Sequence, residues 1–474
     1  MDRARQMSEE RIFPLLVRFS FPAVAGMLVQ ALYNVVDRIY IGRGVGSVGI
    51  AATTVSMPMM IIGFGFALMI GIGGGAQVSI RLGEKRTDKA EQVLGNALGM
   101  LLIASVGMTG LGLAFLTSCL KLFGATETIL PYARDYMGII VAGWIFQTVG
   151  FGLNNFIRAE GNLKTAMGTM LIGSVANMIL DPVFIFVLGW GMKGAATATV
   201  ISQSLSALWV LHYYLGGSSL LKIRSRCLRF QRAVVLRILA IGGPPFLMHM
   251  SECLMVALVN AQLRIHGADL GISMFGVIIS LMTMIFMFVM GVSQGAQPII
   301  GYNYGALRYD RVKRTVGLAV AIVTVVVSVA FVVIMLLPAT LVRMFSRDDL
   351  ALIELGGRAL PIFFCLLPLT GFQMIVSNFF QAVGKPKQAM FLVLSRTVLL
   401  QVPGILLLPR FFGLDGVWLT TPVSIMGSSL LTAVVMYVTL KHMKTPKESG
   451  SESSSEAEPA WPQGSKHTNP GFQS

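Results

Sequence analysis

Charge is what this sequence has least of. Only 12% of its 474 residues are Asp, Glu, Lys or Arg, about half the share of a soluble globular chain. So few charges cannot coat a folded surface, which excludes a soluble multidomain enzyme and a disordered chain. The charge is also lopsided, with 37 Lys and Arg against 22 Asp and Glu, a formal net charge of +15. A nucleic-acid binder would need a wet basic face, and there is too little polar surface to build one. Cysteine is scarce: Cys119, Cys227, Cys253 and Cys365 show no pairing or metal-ligand spacing. They are expected to be reduced packing residues. No His/Asp metal cluster and no Ser/His pair falls inside an apolar run, so neither an enzyme nor a cofactor is expected.

What is there is apolar length. Hydrophobic residues make up 54% of the chain, and the mean hydropathy is +0.73. Apolar runs of about 20 residues or more, long enough to cross a bilayer, fall at 16–41, 50–80, 92–118, 129–157, 164–188, 194–215, 237–263, 271–301, 314–344, 353–383, 388–409 and 415–440. The fold class is therefore an all-α polytopic membrane protein with twelve transmembrane helices. Met1 to Arg18 is charged and leads into a full-length apolar segment without a small-residue cleavage site, so it reads as the approach to a first span and not a removed leader.

The connections alternate in charge. Seven basic segments and tails hold 26 of the 37 cations, among them Arg81, Lys85, Arg86 and Lys89, and the run from Lys222 to Arg237. The intervening connections, such as Gly42 to Gly49 and Phe411 to Asp415, are Gly-rich and poor in cations. The positive-inside rule places the basic set, and both termini, in the cytoplasm. An even number of spans requires the same.

The two halves repeat each other. Gly71-Ile-Gly-Gly-Gly-Ala-Gln77 matches Gly291-Val-Ser-Gln-Gly-Ala-Gln297, and the segments from Phe156 and Phe379 share six of twelve residues. Gly191-Met-Lys-Gly194 matches Gly413-Leu-Asp-Gly416 in nearly the same register. Six spans per unit make a parallel 6+6 repeat, the architecture of alternating-access transporters. The expected organisation is a cytoplasmic N-terminus (1–15), an N-lobe (16–215), a basic cytoplasmic linker (216–236), a C-lobe (237–440) and a disordered cytoplasmic tail (441–474).

Of the 22 acids, 19 lie in loops, helix ends or the tails, and three sit inside the spans: Asp37, Asp181 and Glu252. Each costs about 2.5–3.5 kcal/mol at a helix centre, which calls for a cation, a proton or a polar partner. Asn177 and Asp181 share a helix face, as do Tyr33 and Asp37, and Ala195 and Thr199. Pro182 frees a backbone carbonyl beside Asp181. Together these form an oxygen-rich pocket that suits a hard cation such as Na+ at Asp37, Asn177, Asp181 and Thr199, or a proton shared between two close carboxyls. Glu252 lies near His249 and stands as a substrate or structural residue. Pro22 can kink the first helix. Gly71 to Gly75 permits close helix approach. Arg396 is the clearest cation inside a span, with Arg38 near a span end.

Tyr33-Asn-Val-Val-Asp37 with Pro22 upstream, Phe156-Ile-Arg-Ala-Glu-Gly161, Asn177-Met-Ile-Leu-Asp181-Pro182 and Gly194-Ala-Ala-Thr-Ala-Thr199 resemble the multidrug and toxic compound extrusion (MATE) family, and within it the bacterial DinF-like branch. The resemblance covers about residues 10–440. It implies two six-helix bundles in a V and export of cationic and amphipathic compounds in exchange for H+ or Na+. It implies a cation site at Asp37, Asn177, Asp181, Ala195 and Thr199, and a substrate cavity at Tyr33, Asn154 and Glu252. Glu252 matches an acid of another, NorM-like branch whose partner acid has no counterpart here, where only Gln373 and Asn378 are near. Small-molecule drugs or metabolites and the lipid bilayer are the expected partners, without nucleic acid, for a monomer in a bacterial inner membrane. A lipid-linked oligosaccharide flippase would want a cationic cavity, which the few intramembrane cations disfavour. A major-facilitator-type transporter is also 6+6, and Arg81-Leu-Gly-Glu-Lys-Arg86 resembles one of its loops, but it lacks that family's fuller pattern.

Overall fold

The computed structural model describes residues 3–224, 227, 229–266, 268–345 and 349–443. The expectation of a disordered tail concerns residues outside this set, apart from its first three. Helix α1 (Arg3–Glu9) precedes the N-lobe helices α2 (Ile12–Gly44), α3 (Ser47–Gly83), α4 (Thr87–Ala114), α5 (Leu116–Leu122), α6 (Leu130–Ala142), α7 (Trp144–Ala159), α8 (Leu163–Pro182) and α9 (Gly191–Leu215). The C-lobe follows with α10 (Arg232–His266), α11 (Ala268–Gly305), α12 (Tyr309–Leu336), α13 (Pro338–Arg343), α14 (Leu350–Phe364), α15 (Leu367–Ala382), α16 (Pro386–Leu394) and α17 (Val402–His442). Because α10 starts at Arg232, the linker is shorter than its basic composition suggests.

Two crossings are bent pairs. α6 meets α7 at 53° and α14 meets α15 at 44°. The breaks, at Gly143 and Cys365, are 222 residues apart and so equivalent in the repeat. Cys365 is exposed at its break and packs into no core, unlike buried Cys227. Pro386–His442 is 57 residues long, about 85 Å at the helical rise and far longer than one bilayer. It folds back at Gly413, whose φ of 58° and ψ of −133° leave the helix. Beyond the turn, Gly416 lies against the Leu408 carbonyl and Gly427 against Leu400. With this fold-back counted as two, the described residues make twelve crossings.

π-helical segments interrupt one crossing in each lobe, at Val183–Val187 after Pro182 and at Ser395–Gln401. Pro182 supplies no N–H, so the ladder re-forms one residue wider, with Leu188 N–H donating to Val183 O at 2.9 Å. Many large apolar side chains face outward, among them Phe21, Val106, Leu208, Val329 and Leu430. A bilayer solvates such a belt where water would not.

The lobes meet backbone to backbone at the end that carries the N-terminus. A Cβ on Gly73 of α3 would stand 2.1 Å from Ile238 O of α10, and one on Gly242 would stand 1.8 Å from Met69 O. Gly291 and Gly295 of α11 press on Val24 and Ser20 of α2 in the same way. The repeated glycine motif thus docks, in each half, on the first long helix of the other. Nearer the opposite end, Gly44 faces Ile185 and Gly271 faces Leu263 and Leu414, all within their own lobes.

α1 reinforces the seam. Asn303 Nδ2 donates to Met7 O at 3.0 Å, and Arg311 Nη2 to Glu10 O at 2.7 Å. Met7 is fully buried within the C-lobe core. The linker instead belongs to the N-lobe. Glu160 accepts from Tyr213 Oη, Ser219 Oγ and the Leu220 N–H at 2.7–2.9 Å. Asn96 bonds both Cys227 O and the Gln231 N–H.

Candidate functional site

The N-lobe has two apolar cores, one at the seam end around Leu94, Leu153 and Phe156, the other around Ile41, Tyr136 and Ile185. Between them the packing opens into a cavity of about 150 Å³. Its wall includes Tyr33, Phe64, Gln147, Asn154, Asn177 and Thr199.

Three helices deliver the polar cluster behind this wall. α2 brings Tyr33 and Asp37, α8 brings Asn177 and Asp181, and α9 brings Ala195 and Thr199, each pair four residues apart. Asn177 Nδ2 donates to Asp181 Oδ1 and to Thr199 Oγ1, both at 3.3 Å. Thr199 Oγ1 donates to Ala195 O at 3.0 Å. The Asp37 carboxyl lies within hydrogen-bonding reach of the Asp181 carboxyl. Asp181 and Ala195 are fully buried, and Asn177 and Thr199 nearly so. The structure therefore brings Asp37, Asn177, Asp181, Ala195 and Thr199 into one cluster.

Three oxygens in it, Asp37 Oδ1, Asn177 Oδ1 and Asp181 Oδ2, are buried with no donor. Two carboxyls this close cannot both be anionic without a positive partner. A shared proton, or a small cation seated among those oxygens, satisfies them. The Arg38 guanidinium is close enough to act on Asp37 electrostatically, but it bonds Met57 Sδ at 3.6 Å and makes no ion pair with the carboxyls. Asn177 lines the cavity and bonds Asp181, and Thr199 lines it and bonds Asn177, so the cavity wall is one hydrogen bond from the carboxyl pair.

The three expected cavity residues divide. Tyr33 and Asn154 line the N-lobe cavity, where Asn154 Nδ2 donates to Ala166 O at 2.9 Å. Glu252 lines a second cavity of about 400 Å³ within the C-lobe, and its Oε2 is 3.3 Å from His249 Nδ1. Phe64 stands between the two, its ring 5.0 Å from that of Phe151 and 6.2 Å from that of His249. Pro22 is placed at the seam, between Ser20 and Val24, and α2 continues through it.

Sequence reasoning missed Tyr136 of α6, which is buried beside Asp37, Tyr33 and Asp181. It follows Arg134 and Asp135 near the start of the 129–157 run, where it reads as part of a polar span end. It also missed Gln147, although its seven-residue spacing from Asn154 puts both on one helix face. Across the seam, Arg158 hydrogen-bonds Gln294.

A membrane protein of two six-helix lobes, joined along one end and carrying buried acids beside an internal cavity, has the build of a secondary transporter. The family model described as MatE matches residues 22–183 and 244–407, and the chain belongs to the MATE family of transporters. The multidrug export protein MepA of Staphylococcus haemolyticus is 27% identical over 409 residues, covering 86% of this chain and 90% of MepA. MepA of Staphylococcus aureus strain bovine RF122 is 25% identical over 433 residues, or 90% and 94% of the two chains. The MATE multidrug transporter DinF-BH, solved in complex with a small-molecule ligand, superposes with a TM-score of 0.85 at 41% identity, covering 91% of this chain and 96% of that one. A multidrug resistance MATE transporter solved in an outward-facing conformation gives 0.87 at 25% identity, over 93% and 98%. The chain shares the V-shaped twelve-helix fold of these structures.

Proposed function

We propose that this protein exports amphipathic and cationic compounds in exchange for an inward-moving Na+ or H+. The observation that carries the reading is the Asp37–Asp181 pair, which holds unpaired oxygens and is tied through the other oxygen of Asp181 to Asn177 and Thr199 of the cavity wall. A cation or proton bound there changes the charge behind the same wall that a ligand touches. It shifts the balance of outward- and inward-open states by binding them with different affinity.

The basic connections orient the seam end toward the cytoplasm of a bacterial inner membrane. The lobes are pressed together at that end, so the described conformation opens outward. The multidrug exporters among the relatives, and the ligand complex of DinF-BH, support a small-molecule substrate. The protein works as a monomer, since both lobes lie in one chain.

The test is ethidium efflux from loaded cells carrying Asp37→Asn or Asp181→Asn. Efflux falls at least tenfold in each, with wild-type amounts of protein in the membrane. Unchanged efflux in both variants sinks the mechanism. Proteoliposomes with separately imposed Na+ and pH gradients then identify the coupling ion.

A further inference from the structure

The C-lobe cavity lies apart from the acid pair and is more than twice the volume of its N-lobe counterpart. Much of its wall is apolar and adaptable, with Met248, Met255, Met282, Met287 and Met290 beside phenylalanines. At about 400 Å³ it falls in the range of small-molecule sites. N-lobe residues Leu68 and Ile72 complete it, so it borders the cleft between the lobes.

Its polar groups are few and unsatisfied. Arg396, on the π-helical segment Ser395–Gln401, lines the cavity. Among the described residues it makes no hydrogen bond and no ion pair. Glu252 is the carboxylate that acts on it electrostatically, but it lies beyond ion-pair distance and is held by His249. A guanidinium inside a membrane lobe without a partner is costly. Two further donors on the same wall, Trp418 Nε1 and Ser377 Oγ, are buried without an acceptor, and Trp418 is fully buried. Three donors without acceptors around one cavity, one of them charged, suit an anion. Glu252 Oε1, free of His249, and the unpaired Oε1 atoms of Gln373 and Gln381 offer acceptors for an ammonium.

We propose that this cavity is a second ligand site, which takes a zwitterionic amphiphile with its carboxylate on Arg396 and Trp418, its amine toward Glu252 and its apolar body against the methionines. The site stands on the cavity alone, whichever ion the N-lobe pair carries. Arg396 then discriminates between substrates: it admits carboxylate-bearing amphiphiles that the acid pair of the N-lobe would repel.

The test uses rhodamine B, which carries a free carboxylate and a delocalised cation, and its ethyl ester, which differs only in masking the carboxylate. Binding to the purified full-length protein is read by fluorescence anisotropy without any gradient. Arg396→Gln weakens rhodamine B binding tenfold or more and changes ester binding less than twofold. Arg396→Lys recovers part of the loss. Unchanged rhodamine B binding in Arg396→Gln, or equal losses for both dyes, overturns the proposal. If Arg396→Gln does not assemble, Trp418→Phe decides, since it keeps the ring and removes the N–H. A threefold or larger loss confined to the free acid supports the site, and no loss overturns it. Because no transport is measured, failure here leaves the export mechanism standing, and failed efflux in the Asp37 variant leaves this result standing.

Discussion

Asn177 donates to Asp181 Oδ1 at 3.3 Å while the same nitrogen reaches Thr199 Oγ1 at 3.3 Å. One amide thereby fixes a carboxyl on its own helix and a hydroxyl on the next. Asn177→Leu removes both bonds at nearly constant volume. It also removes Asn177 Oδ1, one of the unpaired oxygens, and an oxygen–cation contact of about 1.5–3 kcal/mol raises the half-saturating concentration of Na+ about tenfold or more, whereas that of H+ does not rise, because the lost bond favoured the ionised carboxyl. Transport in proteoliposomes across a series of ion concentrations measures it. Thr199→Val, which spares the bond to Asp181, shows a smaller shift.

Gly242 has no room for a side chain, since its Cβ would stand 1.8 Å from Met69 O on the other lobe. Gly242→Ala forces α3 and α10 apart, at about 1–3 kcal/mol. The cost falls on the state in which the seam is shut, so the variant shifts toward the inward-open form. Thiol labelling of cysteines placed along the seam reports the change as faster modification from the cytoplasmic side. Gly107→Ala, with nothing within 4 Å, labels like the parent.

Glu160 gathers Tyr213, Ser219 and the Leu220 N–H. Glu160→Ala removes the acceptor that these donors share, at about 1–3 kcal/mol for a donor that finds no other, and loosens the start of the linker from the N-lobe. The melting midpoint in detergent drops by several degrees. Glu160→Gln, which keeps the acceptor oxygen, loses less.

Gly413 turns the chain between the last two crossings at φ 58° and ψ −133°, a region closed to side-chain-bearing residues. Gly413→Val costs about 1–3 kcal/mol and lowers the yield of monodisperse protein on size exclusion. Gly276→Val, at a helical position with nothing within 4 Å, does not.

The spans were legible because the chain marks its own breaks. The cation clusters and the glycine runs fall between apolar segments, and even the turn at Gly413 sits in the gap 411–415. The bend at Gly143 was not legible. No proline stands there, and the glycine shows its use only in the fold, where Val200 of α9 packs in the place of its Cβ. Among site residues, Asp37, Asn177 and Asp181 stood out because polar groups in an apolar run are costly and therefore rare. Tyr136 was hidden because, directly behind Arg134 and Asp135, it looks like part of a span end facing the headgroups. Glu252 was legible as an intramembrane acid, but its membership in a different cavity was not. That depends on which way α10 faces, set where its Phe246 and His249 meet Phe66 and Phe64 of α3.

The crossed glycine docking has a consequence for what half of this protein could be. Gly73 needs the helix of Ile238, and Gly295 needs the helix of Ser20. Neither six-helix unit can complete this contact by itself. A unit expressed alone would find the missing surface only on a second copy related by a two-fold axis along the membrane normal. The single chain holds covalently what a symmetric pair of half-length chains would hold by association. Once joined, the two halves were free to diverge, and one cavity now carries the paired acids while the other carries the arginine.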